Sequence, residues 1–440
     1  QRRADAPRPP QGRQAPSPRG VIKGISYAPV PFRSPRWPLA GHPLPDDDFA
    51  SEDTSLLWGP GGRGDLAVIR ALGANAVRLY GNDAALDKRA FLDEALRLGL
   101  DVIAGISDYP YLQMPGSCVK TGFDCFAQVR HSFRENLKRG FLMDEGDHKV
   151  YHPALSAVVV MNEPDLKLLP AGTPGVFCRA LVSALDAVLD AEEDFDIRGP
   201  RPNFTATFSF GVCPQCEALG DLPALGQMWE LRRAVRRPES VDYSARQDLR
   251  EAYRTRFTNS VNTANPAGSF SSLFLQAYDR TFQGVPVFVG EYHSPQVEDQ
   301  KADLDAILKL ARDASTLLQG ISFFEFQARY DKGGSELAFG LFGLGERPIG
   351  NFQIGAARMN VTAWCLTPLA PPVHARRCSG SAALDTEAIS EDPALGDAVW
   401  GFAQGQADSD GCCARCMELP ACASWTWLPA PAQRCRLSAR

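Results

Sequence analysis

No stretch of this 440-residue chain approaches the roughly 20 consecutive apolar residues that a membrane-spanning helix needs. Positive charge is not in excess either. The formal net charge is −6 and no Lys/Arg-rich run occurs, so neither nucleic acid nor a membrane surface is indicated as a partner. The opening "QRRADAPRPPQGRQAPSPRG" (1–20) has no apolar core of a signal peptide. It is rich in Pro, Arg and Gln and reads as a disordered arm, of the kind left after a signal or propeptide is removed. No glycine-rich phosphate loop follows the first apolar run, because "SYAPVPF" cannot serve as one, which disfavours a doubly wound nucleotide-binding sheet. Cys213-Pro-Gln-Cys216 has zinc-like spacing but no second pair and no histidine cluster. A disulfide in a loop is the reading, and no metal or organic cofactor is expected. There is no internal repeat.

What is present begins with twelve cysteines, a number that points to an oxidising compartment. Cys118, Cys125, Cys178, Cys213, Cys216 and Cys365 are widely spread; Cys378, Cys412, Cys413, Cys416, Cys422 and Cys435 crowd the end. Each set is even and can close on itself, and Cys118 with Cys125 would close a loop after the third strand. The acceptor triplets Asn203-Phe-Thr205 and Asn360-Val-Thr362 fit a secreted, extracellular or cell-surface glycoprotein. Arg63-Gly64-Asp65 spells an adhesion tripeptide, but it stands at a helix start, where Asp65 meets the dipole favourably.

From Val21 onward, short apolar runs alternate with amphipathic segments. The strands are "VIKGISYAP", "ANAVRLYG", "LDVIAGISD", "LSAVVVMNEP", "FTATFSFG", "RTRFTNSVNT", "VPVFVGEY" and "ISFFEFQ". Helical stretches separate them, including "FAQVRHSFRENLKRGFL", the charged region Gln227 to Ala252, and a closing helix "NFQIGAARMNVTAWC". Eight βα units over residues 21–367 predict a (β/α)8 barrel. A Pro/Ala linker (368–377) then leads to a cysteine-rich module (378–440), too small to build a large core of its own.

In such a barrel, chemistry gathers where the strands end at their C-terminal side. Those ends carry Tyr27, Arg78 and Tyr80, Asp108, Asn162 and Glu163, Glu291 and Tyr292, and Phe324 and Glu325. Two carboxylates close similar runs, "VVVMNE" and "PVFVGE". Two carboxyls flanking one bond are what glycoside hydrolysis requires: one gives a proton to the leaving oxygen, the other attacks the sugar carbon or activates water. Tyr27, Tyr80, Tyr109, Tyr111, Phe324 and Phe326 are either core and rim or platforms for pyranose faces.

Asn-Glu-Pro after the fourth strand and Gly-Glu-Tyr after the seventh resemble the acid/base and nucleophile motifs of clan A retaining glycoside hydrolases. With "IKGISYAP", "LGANAVRLYGND", "GLDVIAGIS" and "GISFFEFQARYDKGGSELAFGLFGLG", the stretch from Val21 to Cys365 resembles the fungal β-1,3-glucanosyltransferases and, more loosely, plant-type endo-β-1,3-glucanases. The resemblance implies Glu163 as acid/base and Glu291 as nucleophile. It further implies Asn162 on the sugar 2-hydroxyl, Arg78 beside the nucleophile, and Tyr292 in the same subsite; Tyr27, Tyr80 and Phe324 complete the substrate-binding set. The expected substrate is a β-linked glucan, β-1,3 in the first place. Met161, Pro164 and His293 depart from the fungal pattern, and Asn-Glu-Pro is closer to the cellulase and mannanase branches of the clan. A β-mannanase or cellulase is therefore one alternative. A non-catalytic carbohydrate-binding or cell-surface protein is another. The tail, with "GCCARC", "PAC", "SWTW" and "CRL", resembles PAN/apple-like modules, which bind protein or glycan.

Overall fold

The structure is a computed structural model. It describes residues 20–33, 48–168, 173–354 and 358–369, and the backbone of three later strands, Val399–Ala403, Cys422–Leu428 and Arg434–Ala439. The expected N-terminal arm, most of the linker and the side chains of the 378–440 module lie outside the described residues.

Eight strands form a closed, all-parallel barrel: β1 (Ile22–Tyr27), β2 (Ala76–Leu79), β3 (Asp101–Gly105), β4 (Leu155–Asn162), β5 (Asn203–Phe208), β6 (Asn259–Thr263), β7 (Val287–Tyr292) and β8 (Leu318–Phe323). Each pairs with the strands before and after it in sequence, and β1 closes against β8. The chain is a (β/α)8 barrel, as expected. β-Branched and aromatic residues make these runs strands, and helices outside cover them, so both faces are buried and the runs read as nearly continuous apolar sequence. Ala76, Ile103, Val159 and Phe288 meet inside the barrel, with Ile22 and Ala157 packed against them.

Three expectations about helices are corrected. "NFQIGAARMNVTAWC" is not a closing helix: residues 351–354 and 359–365 belong to two strands, Phe342–Ile354 and Met359–Pro368, paired as a two-stranded sheet. Burial there has period two, with Phe352, Ile354, Val361 and Ala363 buried while Asn351, Gln353 and Asn360 are exposed. The region Gln227 to Ala252 is two helices, Leu225–Arg236 and Leu249–Arg256, since Pro238 cannot continue the first. The second runs to Arg256, so β6 begins later than "RTRF" suggests. The helix from Phe126 is α-helical to Asn136 and runs on into a π-helical turn, Leu137–Phe141, where helical geometry breaks at Arg139 and Gly140. Gly140, at φ 109°, turns the chain where an added Cβ would lie 2.6 Å from the Arg89 nitrogen, and a strand Leu142–Glu145 follows.

Cys118–Cys125 and Cys213–Cys216 are disulfides, as expected; Cys178 is buried and free, and Cys365 is free. Asn203 is half-buried at the start of β5 with its Oδ1 enclosed, and Thr205 is buried. Asn360 is the exposed one of the two acceptor asparagines. The adhesion tripeptide is internal: Arg63 Nε and Nη2 each donate to a buried Asp65 carboxylate oxygen at 2.7 Å. No described helix is long and apolar enough to cross a membrane.

The chain divides into two compact units, Gln1–Gly340 with Leu344–Cys365, and Leu341–Gly343 with Leu366–Arg440. Within the second, the "SWTW" segment is a strand, Cys422–Leu428. It pairs antiparallel with Arg434–Ala439, which in turn pairs with Val399–Ala403.

Candidate active site

The strand ends open into a cleft of about 600 Å³, whose walls include Arg78, Tyr80, Asn162, Glu163, Glu291 and Phe324. Six of the eight expected site residues therefore share one cavity. Two do not. Tyr27 is 1% exposed and donates its hydroxyl hydrogen to Asp65 at 2.8 Å. Tyr292 is equally buried and hydrogen-bonds Asp303. Strand alternation explains both: side chains on successive residues point to opposite faces, so Tyr292 next to Glu291 turns toward the surrounding helices. Of the other aromatics weighed, Tyr109 lines the cleft, whereas Tyr111 and Phe326 are core. Asp108 lines it in an ion pair with Lys167 (2.8 Å).

A register shift precedes each glutamate. The β4–β5 pairing slips between Val159 and Met161, and the β7–β6 pairing between Val289 and Glu291. Such bulges bend a strand and re-aim its last side chains. At Glu163 the backbone enters the left-handed region (φ 54°, ψ 53°). Its N–H is spent on Thr207 O (2.7 Å), and Pro164 occupies the first position of the short helix Pro164–Lys167. A non-glycine residue held there is strained and needs its surroundings to fix it.

Arg78, 1% exposed, is the centre of the network. Its Nη1 donates to Gly290 O (2.6 Å) and to Glu291 Oε1 (3.2 Å); its Nη2 donates to Asn162 Oδ1 (2.6 Å). The guanidinium also lies 4.5 Å from the Tyr80 ring centre. A buried cation of this kind is tolerable only when paired and hydrogen-bonded, and Glu291 is its ion-pair partner. Asn162 Nδ2 faces the same Glu291 oxygen at 3.4 Å.

Glu163 lies in a different field. Burial, and next the negative charge of Glu291, push its carboxyl above the usual carboxylate range; a hydrogen bond from Asn262 opposes them. A third carboxyl, Glu325, also lines the cleft. It is 1% exposed, neither oxygen has a hydrogen-bond partner, and burial pushes it up to about 9, so it is a neutral acid near pH 7. His293 lines the wall too, with Nδ1 donating to Phe324 O (2.6 Å) and Phe339 O (3.1 Å).

Asn262 and His293 are the residues that sequence reasoning left out of the site. Asn262 is the penultimate residue of β6, "NSVNT", so extending the strand-end rule to the sixth strand would have found it. His293 stands out in the sequence only as a departure from a motif. Among the described residues no cluster of His, Cys, Asp and Glu could hold a metal ion.

No protein-family model matches the chain, and no characterised protein matches it by sequence. Solved structures similar to it include Saccharomyces cerevisiae Gas2p in complex with laminaripentaose, at 15% identity and TM-score 0.42, covering 74% of this chain and 61% of that one. The same protein with laminaritriose and laminaritetraose gives 15% and 0.44, covering 77% and 62%. ScGas2 in complex with a compound gives 13% and 0.43, covering 74% and 59%. The chain spans about three-fifths of the length of the proteins it matches.

Proposed function

We propose that this cleft is the active site of a retaining glycoside hydrolase or transglycosylase acting on β-linked glucan. The observation that carries the reading is a pair of carboxyls at the ends of β4 and β7, in one cleft, in unlike environments. Glu163, whose carboxyl burial pushes above the usual range, gives its proton to the leaving oxygen. Glu291, beside Arg78, attacks the sugar carbon and forms a glycosyl-enzyme. Glu163, now ionised, then takes a proton from water, or from a sugar hydroxyl if the enzyme transfers. Asn162 faces the nucleophile oxygen, where a sugar 2-hydroxyl would lie. Tyr80 and Phe324 supply aromatic surface for pyranose rings; Tyr27 and Tyr292, buried away from the cleft, drop out of the binding set.

The β-1,3 linkage rests on the sequence resemblance. Secretion is supported by the two disulfides, which belong to oxidising compartments. The PAN/apple-like reading of the tail, with a protein or glycan partner, rests on its cysteine spacing.

The test is an activity screen on laminarin, mannan and cellulose, read by product size and by the anomeric configuration first released. Retained configuration from laminarin is expected. Cleavage of mannan or cellulose alone would move the substrate to another branch of the clan. Inverted product would remove the double displacement, which needs carboxyls about 5–5.5 Å apart. No turnover of any glucan would leave a binding protein.

A further inference from the structure

Arg78 can only donate hydrogen bonds, and that fixes the direction of every bond behind it. Since Nη2 meets Asn162 Oδ1 at 2.6 Å, Asn162 must present its oxygen there and turn its Nδ2 to Glu291 Oε1, at 3.4 Å. Asn262 lies on the other side of the same oxygen. Its Nδ2 is 3.2 Å from Asn162 Oδ1 and 3.1 Å from Glu163 Oε1. The opposite amide orientation would set the Asn262 oxygen against two acceptors, so the nitrogen must face both. Asn262 Oδ1 then points back over β7, buried and without a hydrogen-bond partner. The space it takes is where a side chain on Gly290 would stand: a Cβ there would lie 2.9 Å from it. The glycine before the nucleophile thus makes room for the amide that touches the other glutamate.

We propose that Asn262 is a positioning residue for Glu163. It holds Oε1 as an acceptor, so that the transferable proton sits on Oε2, and it ties the carboxyl to the Asn162–Arg78 network around Glu291. The inference rests on the reading of Glu163 as acid/base and deepens it. In the first step the Oε2 proton passes to the glycosidic oxygen, which keeps the electron pair of the breaking C–O bond, while Glu291 forms the new bond to the sugar carbon. In the second step Oε2 takes the proton back from water or from an acceptor hydroxyl. Throughout, Oε1 stays on Asn262.

The other charged groups facing Glu163 are Glu291 on β7, and Lys167 and Asp165 on the helix that follows β4. Asp165 is already occupied by Ser209 Oγ (2.6 Å) and Gln227 Nε2 (3.3 Å), and Lys167 by Asp108. Asn262 is the group whose removal changes Glu163 most directly. The sign follows from the bond: a donor to the ionised form favours ionisation, so losing it makes Glu163 keep its proton to higher pH.

The experiment uses the full chain with 13C-labelled glutamate carboxyls. Asn262→Ala and Asn262→Ser are both made, to guard against a variant that does not fold, and Glu163→Gln assigns the signal. In both variants Glu163 should titrate about 0.5–1 pH unit higher than in the parent. The alkaline limb of kcat/KM for a β-glucoside with a poor leaving group should move the same way. With a dinitrophenyl glycoside, which needs no proton in the first step, glycosylation should change by less than about threefold. A Glu163 titration that does not move, or equal losses with both leaving groups, overturns the proposal. A moved titration in a protein with no glycosidase activity overturns the proposed function and leaves the coupling standing. Activity with an unmoved titration overturns only the coupling.

Discussion

Glu163 and Glu291 close two nearly identical apolar runs, yet their neighbours on the barrel rim are of opposite kinds. At the end of β7 a buried guanidinium meets the carboxylate at 3.2 Å and an amide approaches the same oxygen. At the end of β4 the direct contact is a neutral amide, and the nearest strong field is the charge of the other glutamate. The difference is made by β2 and β6, the strands that carry Arg78 and Asn262. The motif alone does not contain it. Position on the barrel decides which carboxyl sits beside positive charge and which is pushed up by burial.

The largest expected effect removes the β7 end. Glu291→Gln should lower turnover of every β-glucoside by about 10⁴-fold or more, because no covalent intermediate can form. Glu163→Gln should cost about 10²–10⁴-fold on substrates with poor leaving groups, and far less on the first step of a dinitrophenyl glycoside. Azide should then restore turnover of the Glu163 variant and release a β-glycosyl azide. Stopped-flow release of dinitrophenol, with the azide product read by NMR, checks both. Near-native activity of the Glu291 variant would dissolve the contrast between the two ends.

The pH profile sharpens the same contrast. Glu163 must be protonated for the first step, and its carboxyl is held above the ordinary range. The rate constant kcat/KM should therefore fall as pH rises through that raised value. The limb should be present for substrates with poor leaving groups and absent for dinitrophenyl substrates, which need no proton in that step.

A smaller effect tests what holds the two ends apart. Arg78→Met keeps the length and removes the charge. It takes the guanidinium from Gly290 O, Glu291 and Asn162 Oδ1, leaving the last two only their amide contacts, and a broken buried pair typically costs about 3–5 kcal/mol. Glu291 is 18% exposed at the side chain, so water recovers part of this and the lower figure is expected. The double variant Arg78→Met with Glu291→Gln should regain much of the loss in denaturant unfolding. If the single and double variants are equally unstable, the pair is not what supports this side of the rim.

How much of this is legible in the sequence depends on what kind of information is needed. Most of the strands are, because they are buried apolar runs bounded by turn residues, while the polar β6 follows from its place in the βα alternation; so are the glutamates, because a carboxylate ending an apolar run is conspicuous. Tyr27 and Tyr292 are misplaced by the strand-end rule because a one-residue step along a strand reverses the side chain, and the bulges at Val159–Met161 and Val289–Glu291 shift that phase where it matters. Asn262 carries no charge and sits in an ordinary polar strand, so its meaning appears only with Glu163 and Asn162 beside it. The 351–365 region reads as a helix because "IGAARM" is rich in small residues, while the alternation of Phe352, Ile354, Val361 and Ala363 is the stronger signal.

A third strand end, β8, carries an effect on stability and not on chemistry. Neither oxygen of Glu325 has a hydrogen-bond partner, and burial first, with the charges of Glu336 and Glu291, lifts it to about 9, opposed by Arg329 and Lys332. An unfolded glutamate loses its proton near pH 4.3. Between these values the folded chain holds a proton that the unfolded chain has released. The contribution of this group is therefore fully present below about pH 4.3 and is lost as pH rises toward about 9, at a slope near 1.4 kcal/mol per pH unit. Glu325→Gln keeps the shape and cannot ionise. Its unfolding free energy relative to the parent should climb steadily across that window and level off above it, as measured by urea unfolding at a series of pH values. If the two proteins differ by a constant amount at all pH values, Glu325 is ionised in the folded state. A cation would then have to reach it, and the β8 end would resemble the β7 end instead of standing apart from both glutamates.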